Sequence, residues 1–145
     1  MLYLYDGALD VPKILSNWYK QEEKSNYGAY IPFIGTIRDE DGIEGLSFDV
    51  YEPILKAWFQ AWQEKAKVKG AIIKMAHSRG DVLLHESSYI AAVFSPKRRV
   101  ALEFIDEFVE DFKASAPIWK YDLRNGERIY AKDRSTAIKG SGLLS

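Results

Sequence analysis

Residues 71–96, Ala71-Ile72-Ile73-Lys74-Met75-Ala76-His77-Ser78-Arg79-Gly80-Asp81-Val82-Leu83-Leu84-His85-Glu86-Ser87-Ser88-Tyr89-Ile90-Ala91-Ala92-Val93-Phe94-Ser95-Pro96, set two short apolar runs one after the other with no helical periodicity between them. Residues 71–77 and 88–94 read as strands, and the polar stretch 78–83 reads as their connection. Ser95-Pro96 then reads as an N-cap followed by proline in a first helical turn. The helix carries an apolar stripe through Val100, Ala101, Phe104, Ile105, Phe108 and Phe112, with Glu103, Asp106, Glu107, Glu110 and Asp111 around it, until Pro117 stops it. Two strands followed by a helix, rather than strict strand–helix alternation, point to an α+β domain and away from a doubly wound parallel sheet.

The same pattern extends outward from this centre. Upstream, Pro53 opens a helix in which Ile54, Ala57, Trp58, Ala61, Trp62 and Ala66 recur at three- and four-residue spacing, with Gly70 at its end. Before it, Ala29, Ile31, Phe33, Gly35 and Ile37 alternate onto one face of a strand over 28–38, where Pro32 marks an edge or bulge. Leu46, Phe48 and Val50 form another strand, and the polar loop 39–45 suggests that the two pair as a hairpin with a long mobile tip. Asp10 caps a first helix that tolerates Pro12 and turns Ile14, Leu15 and Trp18 inward. Downstream, 118–123 and 127–132 flank Asn125-Gly126, a strong hairpin signal. The order predicted is helix, hairpin, helix, two strands, helix, hairpin, in one domain over 1–145, with 135–145 as a mobile tail.

Composition narrows the chemistry. The chain has 145 residues, no cysteine, 47% hydrophobic and 28% charged residues, so it has the makings of an ordinary core without disulfides. It has no thiol nucleophile and no thiolate metal site of its own. No apolar run approaches the roughly 20 residues of a membrane span, and the first residues lack signal-peptide features, so a cytoplasmic location is expected. The net charge of −1 hides a segregation: residues 1–112 hold 13 basic and 18 acidic groups, net −5, whereas 113–145 hold 7 and 3, net +4. An acidic body with a cationic last quarter argues for an anionic partner or ligand.

No Gly-rich phosphate loop, metal box or Gly-x-Ser-x-Gly elbow is present. His77 and His85 stand eight residues apart, match no common ligand spacing, and read as ordinary hydrogen-bonded or exposed histidines; no metal is expected. Lys97, Arg98 and Arg99 open a helix, where the dipole disfavours cations, so a bound anion would relieve their repulsion. Lys113 closes that helix, where a cation is favoured. Lys120 follows Pro117-Ile118-Trp119 in a strand-like apolar setting and must snorkel or face a site. If the short turn brings Lys113 and Lys120 together, their repulsion would favour a neutral amine on one of them, usable for proton transfer near neutral pH.

Three stretches carry a family resemblance: Gly28-Ala-Tyr-Ile-Pro-Phe-Ile-Gly-Thr-Ile-Arg38, Tyr51-Glu52-Pro53, and Phe112-Lys113-Ala-Ser-Ala-Pro-Ile-Trp-Lys120. In order and spacing, over about residues 28–134, the chain resembles the large, catalytic subunit of molybdopterin synthase, the E protein of molybdenum cofactor biosynthesis. The resemblance implies a hammerhead-like α+β fold, mainly antiparallel sheet with three main helices and a C-terminal β-hairpin. It implies a homodimer, each copy binding a small ubiquitin-like sulfur carrier to make a heterotetramer. The carrier's C-terminal Gly-Gly thiocarboxylate would give sulfur to cyclic pyranopterin monophosphate, forming the dithiolene of molybdopterin with no bound cofactor. Lys113 and Lys120 match the family's active-site lysines. Phe33, Thr36, Ile37 and Arg38 match its substrate-contacting turn, and Tyr121 and Asp122 its pocket wall. Lys97-Arg98 stands where the family usually has His-Arg, keeping a place for anion binding, and His77-Ser78-Arg79-Gly80 where it has His-Arg-x-Gly. Arg134, or else Lys132, corresponds to an arginine that reaches the neighbouring copy's site.

A competing class is a non-catalytic module whose cationic last quarter binds RNA or an acidic protein through Trp119, Tyr121 and Tyr130. The acidic body, a pI of 6.1 and the lack of an RNA-binding motif weigh against it.

Overall fold

The computed structural model describes residues 1–131; Lys132, Arg134 and the tail 135–145 lie outside the described residues. Within them the order is β1 (Leu2–Asp6), α1 (Val11–Glu22), β2 (Ala29–Thr36), β3 (Gly45–Val50), α2 (Glu52–Val68), β4 (Ile72–Leu83), β5 (Ser87–Ser95), α3 (Arg98–Ser115), β6 (Ile118–Arg124) and β7 (Glu127–Tyr130). The seven strands of the described residues form one sheet in the order β2-β5-β4-β3-β6-β7, with β1 added beside β4. All pairings are antiparallel except β1 on β4. Among the described residues no helix is long and apolar enough to cross a membrane.

Period-two alternation along β4 and β5 divides the core between the two faces of the sheet. Ile73, Met75, Tyr89, Ala91 and Val93 face α2 and α3, where Leu55, Phe59, Trp62, Ala101 and Phe108 complete the larger cluster. Ala76, Ile90, Ala92 and Phe94 face the other way and pack on Ile14 and Trp18 of α1. A third cluster, Ile37, Ile43, Leu46, Phe48 and Val82, packs where β3 pairs with the end of β4. α1 and α2 begin at the local signals that announced them. The Asp10 carboxylate accepts the Lys13 N–H at 3.3 Å, and Pro53 lies in the first turn of α2. The indole N–H groups of Trp58 and Trp62 on α2 both donate to Asp111 Oδ2 on α3, at 2.9 and 2.8 Å, tying the two helices together.

Four sequence expectations are corrected. First, β2 and β3 do not form a hairpin. β2 pairs with β5 and is a sheet edge, which is where Pro32 can sit without breaking a ladder. β3 instead runs between β4 and β6. Second, the loop between β2 and β3 is no free tip: Ile43 is buried, Arg124 Nη1 donates to the Asp41 carbonyl at 2.6 Å, and the Gly126 N–H donates to Glu44 at 3.1 Å. Third, residues 78–83 are strand, not connection. β4 continues through them because β1 covers Met75 to Arg79 and β3 takes over from Gly80 to Leu83, with Gly80 at φ 79° where the partners change. Fourth, Ser95 does not cap α3; its hydroxyl donates to the Lys97 carbonyl at 2.5 Å, and Lys97 itself occupies the cap with no side-chain bond. β1 was not foreseen. The C-terminal hairpin was: Asn125 and Gly126 have φ 52° and 75°, both positive as a two-residue turn of this type requires.

Candidate functional site

A continuous run of rings crosses the α2/α3 side of the sheet. Phe33, 41% exposed at the edge strand, tilts against Tyr89 at 5.8 Å. Tyr89 stacks on Phe112 at 4.1 Å and lies 5.8 Å from His77. His77 meets Phe112 at 5.6 Å and takes Phe48 edge-on at 5.0 Å. Gly35, opposite Tyr89 in the β2–β5 ladder, leaves room for this packing, since a Cβ there would lie 3.3 Å from the Tyr89 Cβ. The hydroxyls of Tyr89 and Ser78 are buried with no hydrogen-bond partner among the described residues. Burial raises the Tyr89 phenol pKa, and burial likewise pushes His77 down to about 4, against a smaller opposing effect from its bond to Ser78.

Both motif lysines are attached to this run. Lys113 directly follows Phe112 and stands exposed in the last turn of α3, which Ala116 and buried Pro117 close. Lys120 is half-buried on β6 directly opposite Phe48, and its carbonyl accepts the Ala131 N–H. Hence five elements, β2, β3, β4, β5 and the end of α3, bring Phe33 and the neighbours of Lys113 and Lys120 onto one aromatic layer.

The other predicted residues are distributed less simply. Arg38 lies just past β2, exposed, and pairs with Glu40 at 3.0 Å. Thr36 is exposed after the register shift that ends β2, whereas Ile37 is 3% exposed and turned into the third cluster, so its side chain packs rather than lining a surface. Lys97 and Arg98 are exposed at the start of α3, and the helix of 18 residues separates them from Lys113. At 1.5 Å per residue that separation is on the order of 20 Å. Within one chain, therefore, these cations do not converge with the lysine pair.

The hairpin's cations and rings are largely engaged with one another. Arg128 lies over the Tyr121 ring at 4.0 Å and pairs with Asp49 at 2.8 Å, and Tyr130 meets Tyr121 edge-on. Arg124 bonds the Asp41 carbonyl and lies 3.5 Å from the 8%-exposed Asp122. The resulting surface is a self-satisfied hairpin, not a row of free cations and stacking rings.

Comparison with known proteins places this architecture. The family model described as "MoaE protein" matches residues 6–115. The chain belongs to the MoaE family. Among curated MoaE relatives, the molybdopterin synthase catalytic subunit of Helicobacter pylori strain 26695 is 50% identical over 145 residues, covering 100% of both chains. Its counterpart in strain J99 is 43% identical over the same length and coverage. Among solved structures, a chain of the protein–protein complex of subunits 1 and 2 of molybdopterin-converting factor from Helicobacter pylori 26695 superposes with a TM-score of 0.93, at 50% identity and 99% coverage of each chain. The expected α+β domain of a mainly antiparallel sheet and three helices is the MoaE fold.

Tyr89, Phe48 and Phe112 escaped the sequence reading as site-forming residues because strand and helix periodicity places such rings in a core, where they also are. His77 was read as an ordinary histidine. Its sequence signals are a polar, ionisable residue ending an apolar strand run and its place at the head of His77-Ser78-Arg79-Gly80, the counterpart of the family's His-Arg-x-Gly.

Proposed function

We propose that this chain is the catalytic subunit of a molybdopterin synthase. It would accept sulfur from the C-terminal Gly-Gly thiocarboxylate of a small ubiquitin-like carrier and transfer it to cyclic pyranopterin monophosphate, twice, to give the dithiolene. The observation that carries this reading is the 50% identity, across the whole of both chains, to a molybdopterin synthase catalytic subunit. The complex of two subunits in the solved relative supports a small-subunit partner.

On this reading Lys113 and Lys120 handle the protons that must be supplied and removed as the acyl–sulfur and cyclic phosphate bonds break. Phe33 walls the substrate from the edge strand, and Arg38 and Thr36 meet it from the turn beyond; Asp122, on the Lys120 face of β6, continues the wall, while Tyr121 lies on the opposite face with Arg128 and Asp49. Lys97 and Arg98, too far along α3 to act on their own chain's lysines, bind the phosphate or pterin from a second copy, as does Arg134 or Lys132, in a homodimer that carries two small subunits. A cytoplasmic setting belongs to the same reading and rests on kinship with the bacterial relatives. With no cysteine in the chain, the sulfur arrives on the partner.

The test is to mix the purified chain with a thiocarboxylated carrier and the cyclic precursor and to measure molybdopterin by its fluorescent oxidation product. Lys113→Ala and Lys120→Ala should each lower turnover by about 100-fold or more, the lower range for losing a proton-transfer group, while still binding the carrier. Folded variants that convert precursor at the unmutated rate would remove both lysines from the chemistry.

A further inference from the structure

We propose that His77 is a positioning residue that sets the strand bearing Lys120 against the helix end bearing Lys113. The proposal rests on the functional reading above for its catalytic meaning, but its structural content stands apart from it. His77 is the last residue of β4 paired with β5, three positions before β4 acquires β3 at Gly80. It therefore lies where the two parts of the sheet join. Its ring meets Phe48, the cross-strand neighbour of Lys120, and Phe112, the chain neighbour of Lys113. Among the ring contacts of the described residues, His77 is the one ring that touches both.

Three properties suit the imidazole to this task. It is 3% exposed, so its position is fixed by packing on every side. Its Nδ1 lies 2.7 Å from the Ser78 carbonyl, and because a carbonyl only accepts, Nδ1 carries the proton and the ring plane is held by a bond to the backbone. It remains neutral at physiological pH, so it brings no buried charge into an aromatic layer. A phenylalanine would fill the same space without the bond that orients the ring; an asparagine could keep a donor near Nδ1 but would lose the contacts to Phe48 and Phe112. Misplacement of a reacting group by about 1 Å can cost 100-fold in rate, so a wedge between the carriers of two catalytic amines is a position of leverage.

The experiment compares the full chain, His77→Phe, His77→Asn and, as a control on the opposite face of the sheet, Ile14→Ala, each assayed at the same interval below its own Tm. Three quantities are read: kcat and KM in the carrier-dependent assay, and the ratio of the rates at which an amine-selective reagent labels Lys113 and Lys120, resolved by peptide mapping. Expected are a kcat at least about 10-fold lower in both His77 variants with KM for the carrier within about 2-fold, the split that positioning predicts. The labelling ratio of the two lysines should shift in both His77 variants and stay unchanged in Ile14→Ala. Unchanged kcat and labelling in His77→Phe would overturn the proposal, as would a kcat loss matched by Ile14→Ala with no change in labelling. If the unmutated chain makes no molybdopterin, the functional reading fails; a shifted labelling ratio then still upholds the positioning role, and an unshifted one overturns it.

Discussion

Lys74 and His77 stand three residues apart on β4, point to opposite faces of the sheet, and are both almost completely buried. Lys74, 1% exposed, is held by charge and hydrogen bonding: its Nζ lies 2.6 Å from Gln21 Oε1 and 3.4 Å from Glu22, both at the end of α1, and 5.5 Å from the Phe94 ring centroid. His77 has a single backbone hydrogen bond and three ring neighbours. A buried ammonium must have partners, so Lys74 pins one helix to one face. A buried neutral imidazole can sit among rings, so His77 contacts elements that also carry the candidate site. One strand thus uses two polar residues for different ends: attachment on the α1 side, alignment on the α2/α3 side.

The comparison breaks most visibly at Lys74. Lys74→Ala empties a buried position and removes the bonds to Gln21 and Glu22, and should cost about 2–5 kcal/mol, the range for truncating a large buried side chain to alanine, measured by urea denaturation. Turnover per folded molecule should be unchanged, and Lys74→Met, which restores apolar volume, should recover part of the stability. A large fall in turnover of the folded Lys74→Met protein would show that the α1 face is not separate from the site.

At His77 the prediction concerns pH. The folded imidazole takes a proton only near pH 4, against an ordinary value of 6.5, so its contribution is fully present above pH 6.5 and is lost as pH falls toward 4. The lowering corresponds to about 3 kcal/mol at 1.36 kcal/mol per pH unit. The part-buried Met1 amine, which donates to the Ile73 carbonyl and is lowered to about 5 by burial first and by Lys74 second, moves stability in the same direction. The quantity to read is therefore the difference between the unmutated chain and His77→Phe, whose stability should fall less steeply between pH 6.5 and 4. Parallel curves would refute the buried, neutral imidazole.

Asp111 gives the smallest effect. Burial raises its pKa, but the bonds from Trp62, Ser115 and Trp58 together bring it below the ordinary carboxylate value. Asp111→Asn keeps one acceptor but loses the charge and should cost about 1.5–3 kcal/mol, the range of a hydrogen bond to a charged group, read as a lower denaturation midpoint. A larger loss than at Lys74→Ala would place the main attachment on the α2/α3 side instead.

What was legible in the sequence was what neighbouring residues determine. The three helices, the edge character of β2 and the turn at Asn125-Gly126 are each written in local spacing or in a residue with one conformational use. Strand partners are not. β2 and β3 adjoin in sequence yet bond to other strands, and Leu2–Asp6 gives no sign of its parallel place beside Met75 to Arg79. Ser78, Arg79, Gly80 and Asp81 look like a connection because they are polar, but two different strands satisfy their backbone groups. For the site, the lysine run and Phe33 were readable as a motif. The layer joining them depends on pairings such as Phe48 with Lys120 and His77 with Tyr89, which exist only in three dimensions.

The pairing of β2 with β5 also sets an order of events during synthesis. β2 is complete at Thr36, but its partner ends at Ser95, and β1 likewise waits for a strand that begins at Ile72. Chains leave the ribosome at about 5–20 residues per second, so for several seconds the nascent chain holds two strands with no ladder to join, one of them carrying Phe33 and Ile34. Closing loops of this length makes folding intrinsically slow. The interval before β5 emerges is when this chain is most open to capture by a chaperone, or by another copy of itself.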